Sequence, residues 1–223
     1  MKKNKQTEIL KAIKEILLFL IEKGLATDQN QPILKESLIS WANYTPGIGF
    51  GSNIDYLTIY SEIEESKNYT IKLIDGGLLQ YYYKTDRRKI IEHRLAFYPS
   101  PLLEDYDSAF IEYEIDELYL EVVDTYLLKT PLRFDYDQDD ERHKLVLEPK
   151  SHLHLGHTEN CRIPVSRPIC PYSFTKFVLL NFYNAFYKRY STEALFSKKI
   201  NTGENTIHAD EQKIFYLEIA NKG

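Results

Sequence analysis

The chain has 223 residues, 43% of them hydrophobic, and its 33 acidic and 28 basic side chains give a formal net charge of −5. This composition is too apolar for an intrinsically disordered protein and contains no apolar run long enough to span a membrane, so we expect a globular protein without a membrane partner. The negative net charge also argues against a strong, general nucleic-acid binder. The length suits a single domain, 1–223, with a sizeable core.

The distribution of charge and the two cysteines bear on partners and location. Residues 101–124 contain nine acids and no base, whereas 161–200 contains seven bases and one acid. Such polarity can steer an anionic partner to one side of the molecule, although solvated or internally paired faces are the simpler interpretation. The lysine-rich start has no signal-peptide cleavage site, and the spacing of Cys161 and Cys170 does not match a zinc knuckle. We therefore expect buried, inert thiols and a cytoplasmic location.

Two helices and a turn are predicted first along the chain. Hydrophobic residues at helical spacing predict a helix over 6–25, and Gly24 marks its end. A second, shorter helix is predicted over 33–41. The glycine-rich stretch 45–51 lacks the lysine of a phosphate-binding loop and the glycine spacing of a dinucleotide site, so we expect a flexible turn there.

The next segment has the turn residues and side-chain pattern of a β-sheet. Residues 69–74 and 78–84 predict a hairpin around Asp75-Gly-Gly77, and 90–98 predicts a third strand that ends at a proline. The acidic stretch 111–128 has apolar residues close to helical spacing, so we predict a helix over it.

Two short strands, a helix and a final strand are predicted in the remaining chain. Strict alternation predicts strands over 132–137 and 152–155. Ser173 opens a helix that extends to about residue 190 and is largely buried, because apolar residues occupy nearly all of its sides. Residues 214–219 are predicted as the last strand. The fold class is therefore α+β, a single domain whose mainly antiparallel sheet is packed by the N-terminal helix and by the helix 173–190.

Three of the six histidines lie within 151–157 and form the candidate metal site. On a strand, His152 and His154 share one face, and two imidazoles at positions i and i+2 can bind one metal ion. A glycine before His157 allows the chain to fold this side chain back, and Glu159 is close enough to be a third or fourth ligand. We therefore expect a divalent transition metal held by His152, His154, His157 and Glu159.

The neighbouring strand supplies carboxylates to the same face. If the two strands pair as an antiparallel hairpin, their polar faces align, because their apolar faces meet the same core. Asp135 then lies beside His154, or Asp137 beside His152. Arg162 is expected to hold negative charge. The leading hypothesis is a metal- or histidine-assisted, nuclease-like hydrolase that acts on a phosphodiester or other anionic substrate, with these five residues as the catalytic cluster.

Two other interpretations stay open. The same cluster is equally explained as a structural Asp–His–Arg network that satisfies a polar sheet face. Alternatively, the protein is a non-catalytic interaction module, for example of a defence or toxin–antitoxin system, in which tyrosines 81–83 and the acidic helix bind a protein partner. The histidines His93, His143 and His208 have no evident partners in sequence, and we expect them to be ordinary surface or strand residues.

Several phrases of the sequence carry a family resemblance. They are Leu132-Arg-Phe-Asp-Tyr-Asp137, Ser151-His-Leu-His-Leu-Gly156, Cys161-Arg-Ile-Pro-Val165 and Pro168-Ile-Cys-Pro171, followed by Phe174 and Phe182-Tyr183. Together they resemble the uncharacterised prokaryotic domain-of-unknown-function family 2290, over most of the chain. The resemblance implies a bacterial or archaeal intracellular protein and supplies no mechanism.

Overall fold

One open antiparallel sheet organises the protein in the computed structural model, which describes residues 4–47, 54–101, 130–156 and 161–220. Within these residues the sheet has nine strands, ordered β1-β4-β5-β6-β7-β8-β9, and β3 pairs with β5 while carrying β2 at its side. The strands are β1 Ala26–Gln29, β2 Pro32–Lys35, β3 Leu38–Trp41, β4 Ile71–Leu73, β5 Leu78–Thr85, β6 Ile90–Tyr98, β7 Leu132–Asp137, β8 Ser151–Leu155 and β9 Arg162–Pro164.

Helices cover both faces of this sheet. The described helices are α1 Lys5–Glu22, α2 Tyr56–Glu65, α3 Pro171–Phe182 and α4 Asn184–Tyr190. Helices α1 and α3 pack on one face, where the rings of Phe174 and Tyr81 meet edge-on with centroids 5.4 Å apart. Helix α2 belongs to a second buried cluster that includes Ala96 and Tyr98. None of the described helices is both long and apolar enough to cross a membrane.

The sheet is amphipathic along β7, and this places the candidate site. Leu132, Phe134 and Tyr136 are buried in the core shared with α1 and α3. The alternate residues point to the opposite face, because successive side chains on a strand alternate. Arg133 lies directly opposite Ala96 of β6, so the polar side of β7 continues the sheet face that α2 covers.

The predicted fold class is confirmed, and so are most predicted elements. The helix predicted over 6–25 is α1, whose N-cap Asn4 accepts a hydrogen bond from the Gln6 amide. The hairpin at Asp75-Gly-Gly77 forms, with Gly76 at φ +84° in its turn. The strands predicted over 90–98, 132–137 and 152–155 all form. The helix predicted over 111–128 lies outside the described residues, as does most of the turn at 45–51.

The helix predicted over 33–41 is wrong. These residues form the hairpin β2–β3, in which Pro32 pairs with Trp41 and Lys35 with Leu38. Glu36 occupies the turn at φ +55°, a conformation that ends any helix. The physical reason is tertiary, because Ile39 pairs with Tyr83 of β5 and is buried with it in the core.

Two predictions in the C-terminal part are also corrected. The helix predicted over 173–190 begins at Pro171, with Cys170 as its N-cap, and is interrupted at Tyr183. The Tyr183 backbone leaves the helical region at φ −129°, ψ 51°, and its hydroxyl donates to the buried Asp75 carboxylate at 2.8–2.9 Å. The strand predicted over 214–219 is reduced to one parallel bridge between Leu217 and Val165. Helix α2 was not predicted.

Candidate functional site

Strands β7 and β8 pair antiparallel with their polar faces aligned, as predicted, but two residues out of the predicted register. Asp135 lies opposite His152, and Arg133 lies opposite His154. Because a shift of two residues preserves the faces, the polar side chains still meet on one side of the sheet. The expected direct pairing of Asp135 with His154 is replaced by a diagonal contact, in which His154 Nε2 lies 3.5 Å from Asp135 Oδ2.

Asp135 and the two histidines form one compact cluster. The Nε2 atoms of His152 and His154 are 2.9 Å apart. The ligand atoms of the three side chains all lie within 4.8 Å of one another, and this is the group of potential metal ligands found among the described residues. The Arg133 guanidinium forms a salt bridge with the Asp135 carboxylate, with Nε 2.9 Å from both oxygens and Nη2 2.8 Å from Oδ2.

Electrostatics keep Asp135 ionised and His152 neutral. Burial raises the pKa of Asp135, but the charge of Arg133 and the hydrogen bond from His154 outweigh that effect, so this pKa lies well below its usual range. Burial lowers the pKa of His152 to about 4, although the charge of Asp135 opposes the shift. The cluster at neutral pH therefore contains a carboxylate and a neutral imidazole, both of which are forms that bind metal ions.

The Pro149 carbonyl determines which nitrogen of His152 faces the cluster. It lies 2.6 Å from Nδ1. A neutral His152 must donate its Nδ1–H there, so Nε2 carries the lone pair and points at His154. With its proton on Nε2, His154 donates a hydrogen bond to His152. With its proton on Nδ1, the Nε2 lone pairs of both histidines are available to a metal ion beside the Asp135 carboxylate.

Two of the three separations within the cluster lie in the range found between ligands of one metal ion. At a metal–nitrogen distance of about 2.0–2.1 Å, neighbouring ligand atoms lie about 2.9 Å apart at right angles and about 3.4 Å apart in a tetrahedron. The separations of 2.9 Å between His152 and His154 and 3.5 Å between His154 and Asp135 agree with these values.

The remaining predicted catalytic residues stand further out. Asp137 is not beside His152; its carboxylate accepts a hydrogen bond from Arg142 Nη1 at 2.9 Å. Arg162 of β9 lies opposite His154, on the same face of the sheet. Its Nη2 has a long contact of 3.9 Å with Glu148 Oε1. His157 and Glu159 lie outside the described residues.

A cleft of about 470 Å³ opens in front of the cluster. Its walls carry both signs of charge, and several bases are committed to close ion pairs, namely Arg142 with Asp137, Lys144 with Glu148 and Lys150 with Asp140. Arg162 is less tightly paired than these. The mixed charge suits a small anionic group better than a long polyanion, since no continuous basic stripe lines the described part of the cleft.

Several residues at or near the site were missed or misread from the sequence. Arg133 could be recognised as a neighbour of the site from the sequence, because it shares the alternating face of β7 with Asp135. No feature of the sequence pointed to the Pro149 carbonyl. His143 was expected to be an ordinary residue, but its Nε2 lies 3.0 Å from the fully buried Glu211 carboxylate, 68 positions away. His93, on the core side of β6, is also completely buried.

Other candidate residues are less available than expected. Tyr81 and Tyr83 are buried in the core, so these two side chains cannot form the proposed partner surface. The acidic helix of the same hypothesis lies outside the described residues. Cys170 is buried, as expected, whereas Cys161 is half-buried, and both are free thiols.

Comparison with known proteins leads to one family. The model of the family described as "Uncharacterized conserved protein (DUF2290)" matches residues 25–219. Neither a curated protein nor a solved structure matches the chain. The matched range includes every residue of the cluster, and the description of the family names no activity.

Proposed function

Because the chain belongs to the DUF2290 family of uncharacterized conserved proteins, whose description carries no activity, we propose a function from the site itself. The protein binds one divalent transition metal through Asp135, His152 and His154 and uses it to hydrolyse a phosphodiester or a related anionic ester. The observation that carries this proposal is the convergence of two imidazole Nε2 atoms and one ionised carboxylate within 4.8 Å.

The donor set suits a catalytic metal. Two histidines and one carboxylate are a common set in hydrolytic zinc sites, where three protein ligands leave a further position for water or substrate. The two imidazole nitrogens favour a transition metal such as zinc, iron or cobalt over calcium or magnesium, which prefer oxygen ligands. When such a metal is bound, it acidifies its water so that hydroxide is available near neutral pH.

The neighbouring residues support the ligands. The Arg133 charge keeps Asp135 ionised without a proton having to leave when the metal binds. The Pro149 carbonyl orients the His152 ring, which is the role that a backbone acceptor plays behind many metal-binding imidazoles. Both supports exist before the metal arrives, so little reorganisation is needed.

Arg162 is the proposed anion-binding residue. It faces the cleft beside His154 and is only loosely held by Glu148. Its guanidinium would hold a non-bridging phosphoryl oxygen while water adds to phosphorus and the ester P–O bond breaks. The proton from water goes to the leaving alcohol, and a phosphomonoester remains. We further propose a reducing, cytosolic setting, in keeping with the two free thiols.

Metal binding is the first test. The protein, purified without chelator, is titrated with Zn²⁺ and Co²⁺ by calorimetry and by the Co²⁺ absorption bands. We expect one equivalent in the wild type and loss of high-affinity binding in Asp135→Asn, His152→Ala and His154→Ala. His208→Ala is the matched control, because His208 is an exposed histidine outside the cluster. Absence of saturable binding in the wild type would leave the structural network as the explanation.

Catalysis is tested separately with a chromogenic aryl phosphodiester. Arg162→Gln is expected to raise KM or lower kcat/KM while the metal stoichiometry stays at one. Asp135→Asn is expected to abolish turnover together with binding. A wild type that binds metal but cleaves none of a panel of phosphate and carboxylate esters would limit the function to metal binding.

A further inference from the structure

The fully buried Glu211 makes contacts that the proposed metal site does not yet explain. It lies in a 3-10 helix, Glu211–Lys213, in the C-terminal part of the chain. Its Oε2 accepts the His208 backbone N–H at 2.8 Å, which anchors it locally. Its Oε1 reaches across to residues 143–149, the segment that forms one wall of the cleft and that we call the wall loop.

Glu211 holds the wall loop at two points. Oε1 lies 3.0 Å from His143 Nε2 and 3.4 Å from the Val146 backbone nitrogen. Val146 has φ +68°, a left-handed conformation that is costly for a β-branched residue and persists only where surrounding contacts enforce it. Two hydrogen bonds between the backbones of Lys144 and Glu148 close the loop on itself. The position of the loop therefore constrains Pro149, its last residue, which follows Glu148 directly.

Pro149 connects the loop to the metal ligands. Its carbonyl accepts the proton of His152 Nδ1 and thereby leaves Nε2 free for a metal. We propose that Glu211 is a positioning residue for the metal site, which acts through the wall loop and the Pro149 carbonyl on the tautomer and orientation of His152. This inference rests on the proposed function, and it links the C-terminal segment to a site more than fifty positions earlier in the chain.

The test compares Glu211→Ala and Glu211→Gln with the wild type. Competition with a zinc-binding dye measures Zn²⁺ affinity, and ¹⁵N spectra of the His152 ring report its tautomer in the metal-free protein. We expect about tenfold weaker Zn²⁺ binding in Glu211→Ala, the lower end of the effect of outer hydrogen-bond partners. Its His152 should be a mixture of tautomers, and Glu211→Gln should be intermediate, because the amide oxygen still accepts from Val146.

A matched control separates positioning from general destabilisation. Val178→Ala removes buried volume from α3, in the core cluster on the other face of the sheet. It should lower the free energy of unfolding but leave the Zn²⁺ affinity and the His152 tautomer unchanged. All variants are compared under conditions where denaturant curves show them folded.

Each outcome decides the inference. If the wild type binds Zn²⁺ and Glu211→Ala binds it equally well with His152 in one tautomer, the inference is overturned. If the wild type binds no metal, the proposed function fails, and the tautomer in Glu211→Ala still decides whether Glu211 positions His152. A mixed tautomer then supports positioning, and a single Nδ1–H tautomer refutes it.

Discussion

Acid should destabilise this protein through His93, a histidine that the fold holds neutral. His93 is completely buried on β6, where Nδ1 lies 3.2 Å from the Phe134 carbonyl and Nε2 accepts the Ile169 backbone N–H at 3.0 Å. Both ring nitrogens are therefore used by the neutral form, with the proton on Nδ1. A second proton would place an N–H against the N–H of Ile169 and leave a charge in the core.

The magnitude follows from the pKa difference between the two states. Burial lowers the pKa of His93 to about 4 from the ordinary value of 6.5. The unfolded state therefore takes up the proton as pH falls through 6.5, whereas the folded state resists it until about pH 4. The contribution is complete above pH 6.5 and is lost on acidification. The stability lost relative to neutral pH amounts to about 2 kcal/mol at pH 5 and about 3 kcal/mol below pH 4.

Glutamine at position 93 isolates this effect. His93→Gln can still accept from Ile169 but cannot be protonated, so its stability at neutral pH falls through lost packing while its acid dependence becomes shallower. Urea unfolding between pH 7.5 and 5 should show the wild type losing about 2 kcal/mol more than the variant. His152, with its own lowered pKa, contributes equally to both curves. Parallel pH profiles for the two proteins would refute the reasoning.

Three further predictions concern packing and buried polar groups. Gly77→Ala would place a Cβ 2.4 Å from the Tyr183 hydroxyl and should cost about 1–3 kcal/mol in urea unfolding. Combined with Tyr183→Phe, which also removes the hydrogen bond to Asp75, it should cost less than the sum of the two single substitutions, and strictly additive effects would contradict the clash. Phe174→Ala removes a fully buried ring and should cost about 3–5 kcal/mol, and a cost near that of a surface substitution would show that it does not anchor the core. Asn68→Ala leaves the Nε1–H of Trp41 without its 3.1 Å hydrogen bond and should lower the free energy of unfolding by about 1–3 kcal/mol. The fluorescence emission of this single tryptophan should shift, and unchanged emission would argue against the hydrogen bond.

The alternating strands show how much of the site was accessible from the sequence. Period-two patterning placed His152 and His154 on one face and Asp135 on the facing strand, because an amphipathic strand must turn its apolar side to the core. The pairing register of β7 with β8 could not be deduced from the sequence in the same way. A slip of two residues keeps every side chain on its face, so hydrophobicity cannot distinguish Asp135 opposite His154 from Asp135 opposite His152.

Residues 33–41 show the limit of local patterns for the fold. A stretch of nine residues with apolar positions near helical spacing is compatible with a helix or with a tight hairpin, and propensity differences are small on that length. The hairpin forms because Ile39 gains burial against β5, which the chain builds about forty residues later, and because Trp41 is buried with its Nε1–H donated to Asn68. The same dependence on distant partners explains why Tyr183 interrupts the C-terminal helix to reach Asp75.

The sequence by itself determined the α+β class, the amphipathic faces and the identity of the groups that can do chemistry at the candidate site. These properties follow from periodicity and side-chain type, which are local. Only the tertiary structure decided which carboxylate meets which imidazole and that Glu211 holds the wall loop. Those contacts join segments that are separate along the chain, and distances of 3.0–3.5 Å between such segments are set by the packing of the whole core.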